Sequence, residues 1–133
     1  MEIREYTAYE EKEIIGLYSA AGWRAYTDDP EKLRKGFRQS LLVLGAYEGS
    51  MLTGIIRVVG DGETIVFVQD ILVLPEYRRK GIGTALLKNI LIRYSHVRQI
   101  ELVTDSRPET IAFYESAGFR KLSDAGCTGF MKI

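Results

Sequence analysis

Apolar residues along this chain recur at two spacings, and the alternation between them lays out the fold. Residues 2–6 alternate and predict a first strand. Residues 9–21 predict a helix with Ile14, Ile15, Leu17 and Tyr18 turned inward. Asp29-Pro30 opens a second helix, with Asp as N-cap and Pro at the first helical position; Leu33 and Phe37 give it one apolar stripe. Residues 41–47 and 51–59 read as two strands of a hairpin around Glu48-Gly49-Ser50. After the turn Gly60-Asp61-Gly62, residues 64–74 are apolar on both faces except at Gln69 and Asp70, the pattern of a central strand. A helix over 83–95 and a strand over 99–104 follow. Ser106 and Glu109 have capping-box spacing, so a helix should begin there, and Gly118 should close it. Residues 119–122 and 127–133 predict a last hairpin around Asp124-Ala125-Gly126. No linker or repeat interrupts the order β-α-α-β-β-β-α-β-α-β-β. It predicts an α/β domain over residues 1–133, a mixed sheet with helices on both faces.

Composition narrows the function. The 133 residues suit one domain with one core. Eighteen basic residues balance eighteen acidic ones, so no general polyanion-binding surface and no nucleic-acid partner are expected. Cys127 is the only cysteine, which excludes an intrachain disulfide and suits a reducing compartment. The start is charged and no apolar run reaches membrane-spanning length. A cytoplasmic protein with no membrane partner and no metal is expected, and a homodimer is compatible with the sequence.

The most informative stretch is 73–84, Val-Leu-Pro-Glu-Tyr-Arg-Arg-Lys-Gly-Ile-Gly-Thr. A strand ends, a basic glycine-bearing loop follows, and a helix begins with Ile82, Leu86, Ile90 and Tyr94 spaced by four. This is an anion-binding arrangement. The first amides of a helix lack internal partners and carry partial positive charge. Gly81 and Gly83 let a phosphate approach the backbone, and Arg78, Arg79 and Lys80 add charge. Two common phosphate loops fail on spacing. Gly83 is followed by Thr84-Ala85 where a P-loop needs Lys-[Ser/Thr], and Leu86 stands where the dinucleotide fingerprint needs a third small residue.

The remaining pattern, Arg78-x-x-Gly81-x-Gly83, resembles the acetyl-CoA loop of the Gcn5-related N-acetyltransferases (GNAT), Gln/Arg-x-x-Gly-x-Gly/Ala. Residues 110–119, Thr-Ile-Ala-Phe-Tyr-Glu-Ser-Ala-Gly-Phe, resemble the same family's later motif, about thirty residues on with one strand between. The resemblance runs from about Leu41 to Ile133. More narrowly, Gly22-Trp23, Lys32-Leu33, Ser40, Arg57 and Asp70 resemble a bacterial and plastid subgroup that includes plant serotonin acetyltransferase-like proteins.

The resemblance implies the GNAT fold and transfer of an acetyl group from acetyl-CoA to an amine by direct attack in a ternary complex. It implies that the amides of Arg79, Lys80, Gly81, Ile82, Gly83 and Thr84 surround the pyrophosphate. It also implies that Ile71, Leu72 and Val73 pair with the peptide-like pantetheine arm as an added strand, beside two splayed parallel strands at 64–74 and 99–104. Arg78 pairs with phosphate or fixes the loop. An amide of Leu72 or Val73 would polarise the thioester carbonyl.

Tyr114 matches the family's general acid, and a phenol can share a proton with a leaving thiolate; the alternative is a core tyrosine beside Phe113 and Phe119. Asp70 interrupts an apolar strand, where a carboxylate is costly without a partner or a use. It is either a base acting through water or a structural acceptor, at a β-bulge or to Arg57. Arg107 stands where the family often has Asn; it is placed to reach phosphates or adenosine, but the Asn role is not carried over. Trp23 and Tyr26 lie between the first two helices, where the fold usually places acceptor recognition; interhelical packing is the alternative. Tyr77 reads as a packing residue, His96 as a helix C-terminal cap and Cys127 as a buried thiol. Two rivals stand beside a small-molecule or peptide acetyltransferase: a non-catalytic acyl-CoA sensor, and a protein lysine or N-terminal acetyltransferase.

Overall fold

A computed structural model describes residues 1–133. It divides into two compact units, Met1–Val103 and Thr104–Ile133.

The first unit contains strands β1 (Glu2–Glu5), β2 (Leu42–Glu48), β3 (Met51–Gly60), β4 (Ile65–Val73) and β5 (Gln99–Leu102). Its helices are α1 (Glu11–Ala20), α2 (Arg24–Thr27), α3 (Pro30–Arg38) and α4 (Ile82–Arg93). The strands lie side by side in chain order. β1 to β4 pair antiparallel, and β4 pairs with β5 in parallel. β4 is thus central, as its two-sided apolarity predicts. Asp29 caps α3 by accepting from the Lys32 amide (3.2 Å), with Pro30 in the first turn. The short α2 was not expected from the sequence: it is a single turn with one apolar stripe too few to register as a period.

The helices cover both faces of this sheet. Ile14, Leu17 and Tyr18 of α1 and Leu33 and Phe37 of α3 form one core with Val43, Tyr47, Leu52, Ile55 and Leu72. The alternate strand residues Leu44, Ala46, Ile56 and Val58 are buried on the other face, which α4 covers with Ile82, Leu86, Leu87 and Ile90. Between Arg57 and Val58 the register slips: Arg57 pairs with Asp70, but Val58 pairs with Val68. Gln69 is the extra residue of a β-bulge. It reverses the facing of β4, so that Val66 and Val68 go to the α4 side while Asp70 and Leu72 go to the α1 side.

Gly54 sits where β3 and β4 approach closely. A Cβ there would lie 2.8 Å from the Leu72 carbonyl oxygen and 3.3 Å from Ile82 Cγ2. Gly54→Ala must therefore push β4 away next to the segment 71–73. A loss of roughly 1–3 kcal/mol is expected, the usual cost of overpacking, visible as a lower midpoint in urea unfolding.

The second unit contains α5 (Pro108–Ser116) and a 3₁₀ turn at Leu122–Ala125. Two sequence expectations fail here. The capping box does not form: Arg107 is the N-cap with no side-chain cap bond, and the Asp105 carboxylate instead accepts from the Arg107 amide (2.9 Å). Pro108 in the first turn leaves one fewer amide to cap. The last hairpin is also absent: 119–121 and 127–133 carry no strand. Gly118 does close α5, with φ 97° and the Phe119 amide reaching back to the Tyr114 carbonyl (3.1 Å).

Candidate active site

β4 outruns its parallel neighbour. Pairing with β5 ends at Val68↔Leu102, so the segment Ile71–Val73 has β3 on one side and no strand on the other. Strand groups alternate in direction. The Leu74 amide donates to the Thr53 carbonyl (2.8 Å), so Leu72 also faces β3, and Ile71 and Val73 present their N–H and C=O to the open edge. Of the two amides considered for polarising a carbonyl, Val73 faces the right way and Leu72 does not.

The open edge runs directly into the basic loop. Pro75–Tyr77 forms one 3₁₀ turn, Arg79 takes a left-handed φ of 63°, and Gly81, the N-cap of α4, has φ 80°. Arg79 is the one non-glycine residue with positive φ, a strain of the kind that collects at functional loops. The first helical bond of α4 is from the Ala85 amide to the Gly81 carbonyl (3.0 Å). The amides of Arg79, Lys80, Gly81, Ile82, Gly83 and Thr84 take no acceptor from the chain. Arg78, Arg79 and Lys80 are exposed. Arg78 Nε donates to the Val73 carbonyl (3.3 Å), so this side chain ties the loop to the strand end. Lys80 Nζ stands 5.1 Å from the Tyr77 ring centroid, and Tyr77 OH lies 3.7 Å from Met51 Sδ, the packing role expected of Tyr77.

Beneath the open edge lies a buried polar network. Asp70 is 2% exposed. Its Oδ2 accepts from Tyr18 OH (2.7 Å) and from Arg57 Nε (2.8 Å), and its Oδ1 accepts from Tyr26 OH (3.1 Å). Arg57 Nη1 donates to Ser40 Oγ (3.2 Å), whose hydroxyl donates to the Gly36 carbonyl, and the guanidinium lies 5.5 Å over the Phe37 ring. Gln69 Nε2 donates to the Tyr26 oxygen (3.1 Å) from the bulge. Burial works to lower the Arg57 pKa, but the Asp70 carboxylate outweighs it and the net shift is upward. Burial, then the Asp70 charge, pushes the Tyr18 phenol far up. Both structural alternatives raised for Asp70, bulge and Arg57 partner, are present. Tyr18 was read from sequence only as core. Its hydroxyl role has no sequence signal, because the partner is fifty-two residues away.

Tyr26 is the outward end of this network. It is half-buried, with its ring 6.1 Å from Trp23 and 5.0 Å from Tyr18. Trp23 is 37% exposed. The two residues expected to recognise an acceptor thus form one aromatic surface, joined through Tyr26 to Asp70 and Gln69.

In the second unit, Tyr114 packs edge-to-face against Phe113 (5.0 Å) and Phe119 (5.9 Å). Its hydroxyl takes no partner from the chain and is not sealed from solvent. Burial, aided by the Asp105 charge, pushes the phenol up to about 12. The Arg107 guanidinium is exposed and bonded to Asp105 (3.2 and 3.3 Å), with Glu109 at 3.7 Å; its charge is matched within its own turn. Two minor expectations are corrected. His96 does not cap α4, whose C-cap is Tyr94; its Nε2 meets the Gly62 carbonyl (3.1 Å). Cys127 is exposed, because the strand expected to bury it does not form.

Comparison with known proteins decides the family. The family model for the acetyltransferase (GNAT) domain matches residues 5–130. The chain belongs to the GNAT acetyltransferases. A GNAT-family acetyltransferase from Streptococcus pneumoniae is 37% identical, with a TM-score of 0.89 over 99% of this chain and 96% of that one. Two more distant structures share the GNAT fold. The PaiA N-acetyltransferase of Thermoplasma acidophilum, solved with coenzyme A, has 22% identity and a TM-score of 0.71 over 90% and 89% of the two chains. A transcriptional regulator from Bacillus halodurans has 20% identity and a TM-score of 0.76 over 99% and 98%. No match was found among curated proteins. No helix of this GNAT chain is long and apolar enough to cross a membrane.

Proposed function

We propose that this GNAT chain moves the acetyl group of acetyl-CoA onto a primary amine of a small molecule or peptide, with both substrates bound at once. The observation that carries the reading is the unpaired edge of β4 at Ile71 and Val73 running into six partnerless amides at the start of α4. An extended, amide-bearing arm ending in a pyrophosphate matches that surface along its length. Bound acetyl-CoA supplies the thioester carbonyl; a C–N bond forms to the amine nitrogen as the C–S bond breaks.

The chain's own groups have distinct parts in the proposal. The Val73 amide faces the open edge and donates to the carbonyl oxygen as negative charge develops. Trp23 and Tyr26 hold the acceptor. The Tyr26 hydroxyl passes the amine's proton inward toward Asp70 Oδ1, which has only this one donor, whereas Oδ2 is engaged by Tyr18 and Arg57. Asp70 is then a positioning residue for Tyr26 rather than a base in contact with substrate. Tyr114, on its motif and its protonated phenol, returns a proton to the departing thiolate.

Gly83→Glu tests the cofactor half. Glutamate is a better helix former than glycine and suits a helix N-terminus, so melting should hold while CoA binding is lost through charge and bulk. Calorimetric titration should show binding in the wild type and none in the variant; equal affinity in the two would remove the loop assignment. Acetyl-CoA consumption against alkylamines, arylalkylamines, polyamines and peptides tests the rest. Tight CoA binding with no acceptor in the whole panel would replace the enzyme by the sensor.

A further inference from the structure

One acceptor on the free edge of β4 is already taken. Val73 turns its carbonyl to that edge, and Arg78 Nε donates to it at 3.3 Å. The backbone of Arg78 is set for this reach. Its amide donates to the Pro75 carbonyl (3.3 Å), and its φ of −70° and ψ of 158° are extended. The side chain leaves the backbone one residue before the partnerless amides begin at Arg79, and it ends on the strand. It therefore spans the joint between the two halves of the candidate cofactor surface.

The charge of this side chain is uncommitted. None of Arg78, Arg79 and Lys80 forms an ion pair. Nη1 and Nη2 of Arg78 donate to nothing in the chain. A guanidinium held by one neutral carbonyl, beside a row of free amides, is in a weak bond next to a place where a strong one can form.

We infer that Arg78 is a displaceable plug that decides which thioesters the site accepts: those carrying a pyrophosphate, over bare pantetheine thioesters. The inference rests on the acetyl-CoA reading above. A bare arm must break the Arg78–Val73 bond and offers the guanidinium nothing in return. A pyrophosphate on the amides of 79–84 offers the same fork charged oxygens in bidentate geometry. The guanidinium then leaves Val73, and the carbonyl is open to an N–H of the arm. Lys80 does not share this part. Its ammonium stands 5.1 Å from the Tyr77 ring centroid and makes no bond to the strand. Because one side chain serves both halves, filling either should tighten the other by the same factor.

Fragments test this in the wild-type chain. Pantetheine is titrated with and without saturating inorganic pyrophosphate, followed by amide NMR shifts, which read millimolar affinities. Pyrophosphate should tighten pantetheine roughly three- to tenfold, the worth of one freed hydrogen bond. No change, or a weakening, overturns the plug. Arg78→Met keeps the apolar stem and removes the fork. Pantetheine should then bind roughly three- to tenfold tighter than to the wild type, and CoA roughly ten- to a hundredfold weaker. The effect of pyrophosphate on pantetheine should vanish. CoA weakened with pantetheine unchanged would make Arg78 a plain phosphate contact and overturns the plug. Pantetheine tightened with CoA unchanged overturns the exchange onto phosphate. A wild-type chain that binds CoA but shows no linkage fails the plug alone. One that binds neither CoA nor the fragments removes the cofactor reading and the plug with it.

Discussion

Replacing Asp70 by alanine is expected to lower the melting temperature by about 10–20 °C. The substitution leaves Arg57, 6% exposed, buried without its counter-charge, and strips Tyr18 of its acceptor. Breaking a buried pair from one side costs about 3–5 kcal/mol, and in a chain of this length each of those shifts the midpoint by roughly 3–5 °C. The gentler Asp70→Asn keeps the shape and separates two roles. If Asp70 only holds the fold, rate per folded molecule and its pH dependence stay as in the wild type. If it draws the proton through Tyr26, turnover falls and the residual rate climbs with pH, as the amine sheds its own proton. Tyr26→Phe should copy the kinetic effect at a cost of about 1–3 kcal/mol in stability, since it removes the one donor to the buried Asp70 Oδ1. Thermal melts and pH–rate profiles of the two variants decide the matter: an unaltered profile in both ends the relay.

Tyr114→Phe is expected to reduce turnover by roughly ten- to ten-thousand-fold with CoA affinity nearly unchanged, the range for a lost general acid. Burial holds the phenol at about 12, so the proton is present throughout the neutral range. The folded value lies above the ordinary value near 10. The neutral phenol's contribution to stability is therefore complete below about pH 10 and is lost as pH rises toward 12. Tyr114 should add no basic limb to the rate profile below about pH 10. The absorbance titration of wild type minus Tyr114→Phe should show a midpoint near 12. A lower melting temperature with rate per folded molecule intact would make Tyr114 a core residue only.

Local pattern carried most of the sheet and helices, because each element there has a period or a cap of its own: Asp29-Pro30 for α3, the two-sided apolar run of β4, the Gly81-x-Gly83 start of α4. What pattern could not carry was pairing over distance. Nothing around Tyr18 marks it as a donor to Asp70, and nothing around Arg57 says that its other end meets Ser40. The capping box was misread because Pro108 takes the first helical position, which makes Arg107 the N-cap and leaves Ser106 one residue outside the helix. The stretch 127–133 was read as a strand from its composition and carries none, because a strand needs a partner row and composition does not name one. The candidate cofactor loop was legible for the opposite reason: its chemistry lies in consecutive amides, which one short motif specifies.

The extra residue Gln69 makes β4 behave as two short strands spliced out of phase. Before the splice, even-numbered side chains answer to α4; after it, they answer to α1. One continuous backbone thus hands its allegiance from one layer to the other at the point where its parallel neighbour stops. Drawing Gln69 into the ladder as a paired residue would turn Asp70 toward the aliphatic layer of Leu86 and Ile90 and leave Arg57 alone beneath Phe37; deleting Gln69 would instead set Asp70 directly after Val68, on its present face and opposite Arg57. The splice is what lets a carboxylate stand in the middle of an apolar strand without facing an apolar wall.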